Sequence, residues 1–272
     1  MAFLYLVRHG QAGERTLTGD GRQDAYGVER DYDVLSDRGH RQAAATGRSL
    51  ARRQSPGATV PVLCGPLHRQ RDTAAHVAEE LGVSAVPVVP VVPVVDEAWR
   101  EFDTDAVVAP WLAAHPEVAE RMRQAEAAAG GTAEGTAAVG DRRALAALTG
   151  TMLEDAMAWW IDRPDFADFR TRVLGGLGTA ARAAREDGTA VVVTSAGVIA
   201  LCVVETCGLP VQAWPGVAGR LFTASVSLFR VGEDDGDTGT DGRHGVELLS
   251  FNEHAHLDEP GPDGRRPLRR FS

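Results

Sequence analysis

Three stretches of this chain carry side chains able to do chemistry, and each follows an apolar run. Phe3-Leu4-Tyr5-Leu6-Val7 has the aromatic and β-branched make-up of a buried strand. It stops at Arg8-His9-Gly10-Gln11: a permanent cation, an imidazole, and a glycine that lets the backbone turn. Thr189-Ala190-Val191-Val192-Val193-Thr194 is a second such run, and it passes through Ser195-Ala196-Gly197 into an apolar helix over 198–205. The third is the proline-punctuated segment Val83 to Val95, which runs into Asp96-Glu97-Ala98-Trp99-Arg100-Glu101. Ligands of open α/β sheets bind outside the carboxyl ends of the strands. Arg8 and His9 are therefore placed for chemistry by position alone.

Leu6-Val7-Arg8-His9-Gly10 resembles the signature of the histidine phosphatase superfamily, whose fold is phosphoglycerate-mutase-like. Further segments follow in the family's order. Leu35-Ser36-Asp37-Arg38-Gly39-His40-Arg41-Gln42-Ala43 is similar to its second segment, which packs the first crossover helix on the sheet. Gly65-Pro66-Leu67-His68-Arg69-Gln70-Arg71-Asp72-Thr73-Ala74 matches Ser-x-Leu-x-Arg-x-x-x-Thr-Ala except that Gly65 stands in the serine position. Near the end, Asn252-Glu253-His254-Ala255-His256-Leu257 resembles the closing Asn-x-x-x-His-Leu.

The resemblance implies roles. His9 would attack phosphorus and carry the phosphoryl group. Arg8 and Arg69 would clamp its oxygens, consistent with planar guanidiniums that offer paired donors and keep their charge. A glutamate after the third strand would protonate the leaving oxygen; Glu97 fits the register best, with Glu101 and Asp96 as competitors. Gln11 and Ala196 are further expected substrate-binding positions. The family's second histidine falls at Ser195, which can donate a hydrogen bond but supplies no charge. Loss of one preorganised donor to a reacting oxyanion typically costs about 100- to 1000-fold in rate.

The surrounding elements must position these groups. A capped helix is expected from Ser36 or Asp37 to Arg53, a strand over 60–64, a helix over 72–81, a long helix over 166–187, and an antiparallel pair over 224–231 and 246–251, the last at a sheet edge. Residues 12–33 are polar and glycine-rich and read as a loop over the strand end. Residues 106–163 read as a helical cap, with a mobile linker over 124–140. His68 and Arg71 are expected to face solvent, and the Trp159-Trp160 pair to lie in the core.

Composition narrows the classes. The net charge of −10 over 272 residues disfavours nucleic-acid binding. All 28 basic residues are arginines, which rules out a Schiff-base lysine and a P-loop lysine. Three scattered cysteines give neither a disulfide framework nor a zinc site, and read as small buried residues. Gly176-Leu177-Gly178 lies inside a helix with no strand before it, so it is a poor dinucleotide fingerprint. His254 and His256 share one strand face but lack further placed ligands, so no metal is expected. The strand–Ser195–helix turn lacks the flanking glycine of a nucleophile elbow. No membrane segment or signal peptide is visible, because Arg8 interrupts the apolar start.

The expected molecule is an α/β protein: a three-layer α/β/α sandwich with a mostly parallel sheet, one domain over 1–257, a cap insertion at about 104–163, and a disordered tail over 258–272. The expected activity is hydrolysis of a small phosphomonoester through phosphohistidine in the cytoplasm, with no cofactor, no nucleic acid and no membrane. A homodimer is one option for an oligomeric state the sequence leaves open. The alternative is a non-hydrolytic or altered member, favoured by Ser195.

Overall fold

The computed structural model describes residues 1–13, 33–55, 58–84, 91–129, 136–233, 245–258 and 268–269. Its centre is a sheet of β1 (Ala2–Arg8), β2 (Val62–Cys64), β3 (Val94–Val95), β4 (Thr189–Thr194), β5 (Val226–Val231) and β6 (Val246–Glu253), in the order β3-β2-β4-β1-β5-β6. The pairs β3–β2, β2–β4 and β4–β1 are parallel; β1–β5 and β5–β6 are antiparallel, with β6 at the edge. The central strands are apolar throughout because both faces are covered. Leu4, Leu6, Ala190 and Val192 point into one core with α6 (Pro164–Asp187) and α7 (Ala196–Thr206). Tyr5, Val7, Val191 and Val193 point into a second core with α1 (Asp37–Ala51) and α2 (His68–Ser84). These are the three layers expected from the sequence.

The register sets up the site. Arg8 pairs with Thr194 and Cys64 with Val193, so the three central parallel strands end together. His9, Gly65 and Ser195 are the residues that leave those ends. Local signals fix the helices behind them. Ser36 caps α1 by accepting from the Gly39 amide. Pro164 opens α6, and Gly188, at φ 78°, closes it in the left-handed region.

The stretch expected to form a cap holds α3 (Thr104–Ala114), α4 (Pro116–Ala129) and α5 (Thr136–Trp160). Trp160, at the end of α5, joins Phe102, Phe166, Phe169 and Trp214 in one aromatic cluster with ring centroids 5.2–6.1 Å apart. Trp159 is half-buried, with the Arg163 guanidinium stacked on it at 3.9 Å. Trp214 opens the short helix α8 (Trp214–Ala218).

Several expectations need correction. The linker expected over 124–140 is helical on both sides, in α4 and α5, because its alanines favour helix; residues 130–135 lie outside the described residues. Among the described residues, the strand expected up to Val95 pairs at Val94–Val95, and the proline at 93 before it has no ladder donor to offer. Helix α2 begins four residues earlier than expected, at His68 rather than Asp72. Cys64 and Cys202 are buried, but Cys207 is exposed past the end of α7. The expected loop over 12–33 is described only at its ends, where Ala12 bridges Leu35. Most of the expected disordered tail lies outside the described residues; Asp258 and Arg269 form an ion pair, and Leu268 packs beside Ala45, Ala224 and Leu257. Among the described residues, no helix is long and apolar enough to cross a membrane.

Candidate active site

His9 sits at the end of β1, 4% exposed, with its backbone amide donating to the Thr194 carbonyl at 2.8 Å. Its ring is locked from both sides. Nδ1 lies 2.8 Å from the Gly10 carbonyl, which can only accept, so Nδ1 carries the proton. Nε2 accepts from Arg69 Nε at 3.2 Å, so it presents its lone pair. Burial, then the Arg69 and Arg8 charges, hold the His9 pKa well below its ordinary value. The imidazole is therefore neutral and oriented, with its lone pair at Nε2.

Two buried cations flank it. Arg8 donates to the Leu221 carbonyl, and Arg69, in the first turn of α2, donates from Nη1 to Asp33 Oδ1 at 2.8 Å. Asp33 also accepts from the His68 amide through Oδ2. Thr73 ties α2 to the end of β1: its hydroxyl accepts from the Gly10 amide at 3.0 Å and donates to the Arg69 carbonyl at 2.7 Å. His68 and Arg71 are exposed on α2.

The carboxylates correct the sequence reading. Glu97 lies in a surface 3-10 turn, 65% exposed, with both oxygens on Arg100; that pairing lowers its pKa. Asp96 is spent capping the turn at the Ala98 amide. Glu101 is the carboxylate turned toward the cations. It accepts from the Gly197 amide at 2.9 Å and the Phe102 amide at 3.1 Å. Burial raises its pKa, opposed by those two amides and by Arg69 and Arg8. Register misled because the chain makes the 3-10 turn Glu97–Trp99 before coming back to the strand ends. Gly197 leaves room for this carboxylate: a Cβ there would lie 2.5 Å from Glu101 Oε1 and 2.9 Å from the Phe102 ring. Arg172, from α6, clamps the turn by donating to the carbonyls of Glu97, Ala98 and Arg100 at 2.7–3.0 Å.

Ser195 is buried at the start of α7, with Oγ accepting from Gln70 Nε2 at 2.8 Å. Ala196 is the first residue of the helix and Gln11 lies half-buried at the rim, its amide donating to Gln42 Oε1 and its side-chain oxygen facing Arg38 at 3.5 Å. His254 stacks on Phe222, with centroids 4.1 Å apart. His256 hydrogen-bonds Thr46 and the Ala224 carbonyl. The two therefore have separate partners, and no group of three metal-ligating side chains occurs among the described residues. The sequence reading missed Asp33, Gln70 and Arg172 altogether, since each acts across elements far apart in the chain.

The sequence profile of the histidine phosphatase superfamily (branch 1) matches residues 4–149, more than half of the chain. This chain belongs to that superfamily. The matched stretch contains Arg8, His9, Arg69 and Glu101, while Ser195 lies beyond it. No curated protein matches the sequence. Among solved structures, a native mycobacterial glucosyl-3-phosphoglycerate phosphatase is 21% identical, with 93% of this chain and 99% of that one covered at a TM-score of 0.52. A mutant phosphoserine phosphatase from Entamoeba histolytica, complexed with phosphoserine, is 17% identical, with 94% and 100% covered at a TM-score of 0.51. At these identities the likeness is one of fold.

Proposed function

We propose that this chain hydrolyses a small phosphomonoester through a phosphohistidine at His9. The observation that carries this reading is the locked imidazole: Nδ1–H on the Gly10 carbonyl and the Nε2 lone pair beside Arg69. Nε2 attacks phosphorus in line, so a P–N bond forms as the ester P–O bond breaks. Arg69 hands its Nε–H from His9 to a phosphoryl oxygen, and Arg8 and the Ser195 hydroxyl take others. The amides at the start of α7 favour the anion further. Glu101 gives its proton to the leaving oxygen. As a carboxylate it then takes a proton from the water that attacks phosphohistidine, which returns His9 and releases phosphate.

Phosphate release from an aryl phosphate tests this. Wild type turns over and His9→Ala falls to background; equal rates would refute the reading. A second reading, anion binding without hydrolysis, rests on Ser195, a neutral hydroxyl in the place of a histidine. It requires orthovanadate to bind a protein that releases no phosphate from any monoester.

A further inference from the structure

Two of the places where this chain departs from the family pattern, Gly65 and Ser195, meet at one side chain, Gln70. Gln70 is fully buried beneath the site. Its amide orientation is dictated by its neighbours. The Leu67 N–H can only donate and lies 3.2 Å from Oε1; the Trp99 carbonyl can only accept and lies 3.1 Å from Nε2. The second Nε2 proton therefore points at Ser195 Oγ, 2.8 Å away. A serine hydroxyl has one proton. With Gln70 donating to its oxygen, Ser195 must offer that proton elsewhere, and among the described residues its hydroxyl donates to no partner and makes no cap bond to α7. Gly65 belongs to the same arrangement: a Cβ there would lie 2.0 Å from Gln70 Oε1 and 2.5 Å from the Trp99 carbonyl. A side chain at 65 and the present seat of Gln70 exclude one another, and an imidazole at 195 is bulkier than the hydroxyl that Gln70 meets at 2.8 Å.

We infer that Gln70 is a positioning residue that makes Ser195 a directed donor to the phosphoryl group, and that Gly65, Gln70 and Ser195 form one interdependent set replacing the histidine. The inference rests on the anion site proposed above. It predicts that Gln70 acts through Ser195 and that histidine at 195 is tolerated only when Gln70 is removed.

A double-mutant cycle tests it, read both as kcat on an aryl phosphate and as orthovanadate affinity. Gln70→Met keeps the volume but removes the donor. In the Ser195 background it should lower kcat and vanadate affinity about tenfold, the worth of one strengthened hydrogen bond. In the Ser195→Ala background it should change either by less than about twofold. Ser195→His should be impaired with Gln70 present and regain activity when combined with Gln70→Ala. Equal losses in both backgrounds would show a merely structural Gln70 and overturn the inference. So would full activity of Ser195→His alone. Vanadate coupling without turnover would leave the inference standing and sink the hydrolytic reading. Turnover through His9 without coupling would do the reverse, and neither turnover nor vanadate binding would overturn both.

Discussion

The roles of single residues follow from how each charge is held. Glu101 is raised and His9 lowered, so they titrate in opposite senses. His9 stays neutral until the pH falls well below its ordinary 6.5. Glu101 keeps its proton above the ordinary 4.5 and loses it as the pH climbs through its raised pKa. The rate should therefore fall on the alkaline side as the acid ionises. Glu101→Gln should lower kcat about 10²- to 10⁴-fold and abolish that limb, whereas Glu97→Gln, at the surface, should leave kcat unchanged. A pH–rate profile of the two variants checks both; loss of the limb in Glu97→Gln would reverse the assignment. Asp33 places a negative charge on Arg69 where a phosphoryl group would arrive. Asp33→Asn should tighten inhibition by inorganic phosphate about three- to fivefold, the worth of one partly exposed ion pair. Weaker inhibition would mean that Asp33 serves to hold the guanidinium in place.

At the scale of elements, the acid depends on a turn that other elements hold. Arg172 collects three carbonyls of the segment leading to Glu101, and Phe102 anchors the next residue in the aromatic cluster. Arg172→Met should cost about 0.5–1.5 kcal/mol, since of the three carbonyls it leaves only that of Ala98 is part-buried. It should lower kcat while leaving KM nearly unchanged, because the phosphate clamp is built from β1 and α2 instead. Thermal melting and steady-state kinetics read the two effects; a change in KM alone would contradict them. The same comparison shows what the chain made legible. The strand ends carrying Arg8-His9 and Ser195 could be read because apolar runs and their abrupt ends are local patterns. Register alone favours Glu97 over Glu101 as the proposed acid, because the two are separated only by a turn whose path is held by Arg172 of α6. Gln70 was equally hidden, since its partners at Gly65, Trp99 and Ser195 come from three elements.

For the whole molecule, buried neutral imidazoles set an acid limit on stability. His256, on Thr46 and the Ala224 carbonyl, has its pKa lowered by burial from 6.5 to about 4. The unfolded chain takes up that proton near 6.5 and the folded chain does not. The stabilisation is thus fully present above 6.5 and is lost as pH falls toward 4. Its size is about 3 kcal/mol, and His9 adds to it with the same sign. His256→Gln should flatten the stability profile between those two pH values, as followed by urea unfolding; an unchanged slope would contradict this account. The central claim remains the covalent step, in which one molecule of substrate leaves its phosphoryl group on His9 before water arrives. Alkaline quenching of the enzyme during turnover, followed by mass spectrometry of its peptides, tests that step directly. The account predicts a phosphoryl group on Nε2 of His9, accumulating further in Glu101→Gln when an aryl leaving group needs no acid. Steady turnover with no modified peptide, or a phosphoryl group on any other residue, would contradict it.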